Sequence, residues 1–213
     1  GAATALEQLL TDRLRILGPD HPHTLATRAN LANWRGRAGD PAGAATALEQ
    51  LLTDRLRILG PDHPHTLTTR HNLANWRGQA GDPAGAATAL EQLLTDFLRI
   101  LGPDHPHTLT TRANLANWRG QAGDPAGAAA ALEQLLTDRL RILGPDHPHT
   151  LTTRHNLARW RGQAGDPAGA ATALKQLLTD RLRILGPDHP HTLTTRHNLT
   201  HWRSRADGNG DRT

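Results

Sequence analysis

Along residues 82–102 the apolar side chains fall at Ala86, Ala89, Leu90, Leu93, Leu94, Leu98 and Leu101, the i, i+3, i+4 rhythm of one side of a helix. Asp82-Pro83 opens this segment: Asp suits an N-cap, and Pro fits the first helical position, where its missing N–H costs nothing. Gly102-Pro103 closes it with a C′ glycine and a residue that cannot continue the helix. The pattern predicts a helix of about 19 residues, helix B. Asp104-His105-Pro106 opens a second segment with the same devices. It carries Leu109, Leu115, Ala116, Trp118 and Ala122 and ends at Gly123. This is helix A, about 17 residues long. Links of about two to four residues make consecutive helices antiparallel neighbours. No stretch alternates with the period of a strand.

The same pattern recurs. Asp20 to Trp34 reads Asp-His-Pro-His-Thr-Leu-Ala-Thr-Arg-Ala-Asn-Leu-Ala-Asn-Trp and returns, nearly unchanged, at Asp62, Asp104, Asp146 and Asp188, always 42 residues on. The expected fold is all-α: an α-solenoid of antiparallel helix pairs over residues 1–206, with about ten helices whose core is a ribbon and not a ball. It opens on a lone helix B near residues 1–17 and closes on a lone helix A near 190–206. The stretch 207–213 has turn composition and is expected to fray. Gly1 falls inside a unit, so a piece of a longer array is expected.

Composition removes several kinds of chemistry. Without Cys there are no disulfides or thiolate sites. No apolar run approaches the roughly 18 residues of a membrane span, so no membrane partner and a cytoplasmic protein are expected. The net charge is +4, but the second unit is neutral and the excess gathers at Lys175, Arg203, Arg205 and Arg212. Acids and bases otherwise alternate, unlike the concentrated stripe of a nucleic-acid binder. Asp62-His63-Pro64-His65 and its counterparts place imidazoles beside a carboxylate, as a metal site would, yet these residues are needed to start helix A. No metal and no cofactor are expected. Nucleophile elbows, His-Glu-x-x-His and phosphate-binding loops are absent from the sequence, and an enzyme is not expected.

Asn72-Leu73-Ala74, Gly81-Asp82, Ala86 and Leu90 sit at the offsets of the tetratricopeptide repeat signature, which the chain resembles as far as Ala206. The 42-residue period, with Leu101-Gly102-Pro103-Asp104-His105-Pro106 before Thr108-Leu109, resembles the longer variant of kinesin light chains, and more closely still bacterial repeats of that type. HEAT and armadillo arrays share the period; the caps and the Asn-Leu-Ala element favour the tetratricopeptide type. Arg77 and Arg119 stand where the family usually has Tyr or Phe, with Trp76 and Trp118 one place earlier. The resemblance implies a right-handed superhelix whose concave face, lined by A helices, binds peptides or proteins.

The resemblance puts Ala26, Ala29, Asn33, Gly36 and Arg37 on that face, and most of these places vary between copies. Ala26 becomes Thr68, Thr110, Thr152 and Thr194; Ala29 becomes His71, Ala113, His155 and His197. Asn33 becomes Asn75, Asn117, Arg159 and His201; Arg37 becomes Gln79, Gln121, Gln163 and Arg205. Elsewhere few sites change, among them Phe97 for Arg55 and Thr200 for Ala158. Asn33, Asn75 and Asn117 form an expected ladder of amides for an extended peptide backbone. Arg159, His201 and Arg205 suit an acidic or C-terminal carboxylate group. Arg70 and Arg77 fall within the apolar side of helix A and are expected to reach helix B acids such as Glu49 or Asp54. At the ends, Leu6, Leu9 and Leu10 on one side and Leu193, Leu199 and Trp202 on the other are expected to be uncovered. A second expectation is therefore a homo-oligomer or filament formed end to end, through a heterologous contact.

Overall fold

The computed structural model describes residues 2–208. Helices are their only regular elements: α1 (Ala2–Leu17), α2 (Pro22–Arg37), α3 (Pro41–Leu59), α4 (Pro64–Gln79), α5 (Pro83–Leu101), α6 (Pro106–Gln121), α7 (Pro125–Leu143), α8 (Pro148–Gln163), α9 (Pro167–Leu185) and α10 (Pro190–Ala206). Even-numbered helices are of type A and odd-numbered ones of type B. The chain falls into two compact units, Gly1–Gly102 with α1–α5 and Pro103–Thr213 with α6–α10. Within each, every helix packs on the next, and A helices also touch one another, α2 on α4, α6 on α8 and α8 on α10. Each unit is thus a run of α-solenoid with a repeat of 42 residues. The tail expected to fray lies outside the described residues from 209 on; Asp207 and Gly208 form a turn.

The B helices begin and end as the sequence predicts. Asp124 is the N-cap of α7, its Oδ1 accepting from Gly127 N at 2.8 Å, and Gly144 ends the helix at φ 82°. The A helices begin differently. His105, not Asp104, is the N-cap of α6, and its Nδ1 accepts from His107 N at 3.1 Å. The reason is register: the cap must directly precede Pro106, and Asp104 lies one residue too early. Its carboxylate instead grips Arg141 through bonds of 2.6 and 3.0 Å, and that bond holds the Asp104 carboxyl below its usual range. Asp20–Arg57, Asp62–Arg99 and Asp146–Arg183 repeat the pairing.

Each core is completed by the following A helix. In the first unit, Leu25 and Ala32 of α2 and Ala44, Ala45, Leu48 and Leu51 of α3 are closed over by Leu73 and Trp76 of α4. Leu157 and Trp160 of α8 close the core of α6 and α7; Leu199 and Trp202 of α10 close that of α8 and α9. The tryptophan rings lie flat against glycine. A Cβ placed on Gly36 would stand 2.6 Å from Trp76, on Gly120 2.6 Å from Trp160, and on Gly162 2.7 Å from Trp202. Gly36, placed on the open face by the resemblance, is therefore buried as the floor of a tryptophan seat.

The buried arginines are not those expected. Arg70 is half-buried and pairs with Asp96 at 2.7 Å, while Asp54 belongs to Arg28. Arg77 reaches Glu49 as expected, near the surface. The guanidinium groups inside the protein come from B helices: Arg55, Arg139 and Arg181 are 5%, 4% and 3% exposed. Arg139 of α7 donates to His149 O and Thr153 Oγ1 of α8 at 3.0 and 2.5 Å, and to Leu109 O of α6 at 3.2 Å. It thereby ties two A helices together without any carboxylate. Phe97 holds the same position in α5 and is equally buried.

Candidate binding surface

Positions 71, 75 and 79 of α4, with their counterparts in the other A helices, recur on one side of each helix because four and eight residues bring a helix nearly back to the same direction. In α8 the set is His155, Arg159 and Gln163; in α10 it is His197, His201 and Arg205. A hollow of about 410 Å³ between these helices is lined by His155, Arg159, Gln163, His197 and His201, together with Asn156, Asn198 and Trp202. A second, of about 440 Å³, shares Gln163 and Trp202 and adds Arg205 and Gly208. Six residues expected on the binding face thus come together.

The chemistry of the hollow centres on His155. Asn198 Nδ2 lies 3.0 Å from its Nε2, and the amide can only donate, so the ring proton sits on Nδ1. That nitrogen is buried and has no partner. Burial, reinforced by Arg181, Arg159 and His191, pushes His155 down from 6.5 to about 4, so the ring is neutral at neutral pH. Arg159 is exposed, its guanidinium carbon 4.6 Å from the Trp160 ring centroid; Arg205 lies over Trp202 at 5.8 Å, and His201 meets that ring edge-on. The hollow therefore combines an exposed guanidinium braced on an indole with several imidazoles. That set can receive an anionic or carbonyl-rich group.

The other expected residues are placed elsewhere. Asn33 and Asn117 are not a free amide ladder: each Oδ1 accepts the indole N–H of the next A helix, from Trp76 and Trp160, at 2.8 Å. Asn75 Nδ2 donates to His71 O at 2.9 Å. Thr68 returns its hydroxyl to Pro64 O, and Thr110 lines a different hollow with Leu109, Arg139 and His147. Gln79 and Gln121 are exposed. Among the end residues, Leu9 and Leu193 are exposed and Leu6 and Leu10 partly so, but Leu199 and Trp202 are buried. Both point back into the preceding repeat, as Leu73 with Trp76 and Leu157 with Trp160 also do. Among the described residues no three His, Cys, Asp or Glu side chains are grouped to hold a metal, and no helix is long and apolar enough to cross a membrane. Sequence reasoning missed the role of Asn198, because that position is Asn in every copy and carries no variation to draw the eye.

A tetratricopeptide repeat model matches residues 24–65, 66–107, 108–149 and 150–191 in succession. The solved structure of a putative kinesin light chain of nearly identical repeats from Podosopora anserina is similar at 28% identity and TM-score 0.75, covering 89% of this chain and 90% of that one. A point variant of that protein gives 28% and 0.76, covering 89% of each chain. BtubC from P. vanneervenii shares the fold at 19% identity and TM-score 0.77, covering 97% of this chain and 83% of that one. No curated protein sequence matched the chain. Four consecutive matches at the 42-residue spacing cover most of its length, and the chain belongs to the tetratricopeptide repeat family.

Proposed function

We propose that this chain is a non-catalytic scaffold that binds a protein or peptide on the face carried by its A helices, with the hollow between α8 and α10 as the principal seat. Proteins of this family are generally scaffolds for protein interactions, which supports the broad role. The finer reading rests on one observation: Arg159, His197 and His201 line a single hollow beside His155. Guanidinium and imidazole groups around the hollow favour an acidic segment or a C-terminal carboxylate. The sites that vary between copies concentrate on this face, whereas the outer B-helix surface is nearly constant.

Selection from a displayed peptide library tests this. Enriched peptides should be acidic, and Arg159→Glu should weaken their capture at least tenfold while helicity is unchanged. Enrichment of neutral or basic peptides, or capture indifferent to Arg159→Glu, would sink the proposal. End-to-end assembly, the other reading of the sequence, loses two of its six residues to the core, and no observation favours it.

A further inference from the structure

The first and last helix pairs of the chain differ in a way that decides what can join them. Trp76, Trp160 and Trp202 each lie on a glycine of the preceding A helix and are 9%, 1% and 4% exposed. Trp34 of α2, at the same position of the repeat, is 44% exposed. Beside it, Leu9 of α1 is 40% exposed, although its counterparts Leu51, Leu93, Leu135 and Leu177 are fully buried. The seated tryptophans show what covers such a surface: an A helix presenting glycine at the ring and alanine four residues earlier, as Gly120 with Ala116 and Gly162 with Ala158 do. Trp34 is a plug of the same shape.

A second copy could offer only α10 as the socket, since Gly36, Gly78, Gly120 and Gly162 of the earlier A helices are already buried. There the repeat changes. Ser204 stands at the position of those glycines, and Thr200 at that of Ala32, Ala74, Ala116 and Ala158. A single Cβ at the glycine position comes within 2.7 Å of the seated ring, closer than packed carbon atoms approach. Serine supplies that Cβ and a hydroxyl besides. Thr200 is exposed where the alanines are buried, and adds bulk at the place that receives the next B helix. His201 replaces the asparagine that accepts the indole N–H at Asn33 and Asn117, but Arg159 also lacks that amide and Trp202 is still seated. The steric pair, Thr200 and Ser204, is therefore decisive.

We propose that the surface formed by α1 and Trp34 fits an A helix carrying alanine and glycine four residues apart, and that α10 is barred from being that helix by Thr200 and Ser204. Copies of the chain consequently do not join head to tail, despite Leu193 at 45% exposure on one end and Trp34 on the other.

Sedimentation equilibrium of the full chain and three variants provides the test. The wild type should keep its monomer mass of 23.1 kDa over a wide concentration range. Thr200→Ala combined with Ser204→Gly restores the residues of the earlier repeats, and its average mass should rise with concentration past that of a dimer. Adding Trp34→Ala to that variant should return it to the monomer mass, with circular dichroism showing retained helicity in all. Persistence of the monomer in the Thr200→Ala, Ser204→Gly protein overturns the proposal. So does association that survives Trp34→Ala, or a wild type that associates and is dispersed by Trp34→Ala alone.

Discussion

Replacing Arg139 offers a way to weigh charge against packing inside the stack. The side chain is 4% exposed, makes three hydrogen bonds and has no acidic partner in an ion pair. With a charged donor these three bonds contribute about 4.5–9 kcal/mol together. Against this, burial pushes the Arg139 guanidinium down to about 10, and the neighbouring Arg112 adds to the effect. That shift corresponds to about 3 kcal/mol spent on keeping the charge inside. His149 O and Thr153 Oγ1 would not be stranded, because Thr153 Oγ1 donates to His149 O at 2.8 Å. Arg139→Ala should therefore cost about 3 kcal/mol net, including the void left by the stem. Arg139→Phe copies what α5 already does with Phe97. A buried ring recovers about 2–3 kcal/mol of apolar burial, so this variant should stay within about 1 kcal/mol of the wild type. Urea unfolding followed by circular dichroism measures both, and an unchanged slope with denaturant would show that the unfolding unit is the same. If Arg139→Phe loses as much as Arg139→Ala, the hydrogen bonds hold the helices and this weighing is wrong.

Two further outcomes follow from the same packing. Gly120→Ala should destabilise by about 2 kcal/mol, through the Cβ that would stand 2.6 Å from Trp160; the usual benefit of Gly→Ala within a helix, about 1 kcal/mol, makes the sign diagnostic, and a rise in the unfolding midpoint would contradict the seat. His155 titrates near 4 in the folded chain and at its ordinary 6.5 when unfolded, so the unfolded state binds the proton more readily; stability is complete above the unfolded value and falls as pH drops from 6.5 towards 4, by up to about 3 kcal/mol. Denaturation midpoints across that window should slope downward in acid for the wild type and less steeply for His155→Ala.

Much of the fold is legible in the residues because its signals are local. Asp124-Pro125 and Gly144-Pro145 mark where α7 begins and ends through backbone chemistry that needs no neighbour. Errors arose where a partner tens of residues away decides. Asp104 resembles a cap until Arg141, 37 residues on, claims it. Arg139 lies on the same side of its helix as Leu132 and Leu135, and a wheel cannot show that α6 and α8 supply the oxygens that receive its charge. Gly36 and Asn33 read as open because the helix that covers them belongs to the next repeat. The hollow between α8 and α10 was partly visible, since its residues are those that vary, but the buried edge of His155 is a tertiary property.

Near-identical repeats give a folding chain many equivalent addresses. α3, α7 and α9 carry almost the same letters, so a segment that docks one repeat out of place finds nearly all the contacts it expects. Phe97 breaks this degeneracy. A slip of 42 residues that exchanged α5 with α7 would swap a phenyl ring for a guanidinium at two buried positions at once. One site would lose its hydrogen-bonded tie between A helices, and the other would bury a guanidinium where a phenyl ring packs. A single phenylalanine, the only one in the chain, thus serves as a registration mark that tells the middle of the molecule from its flanks.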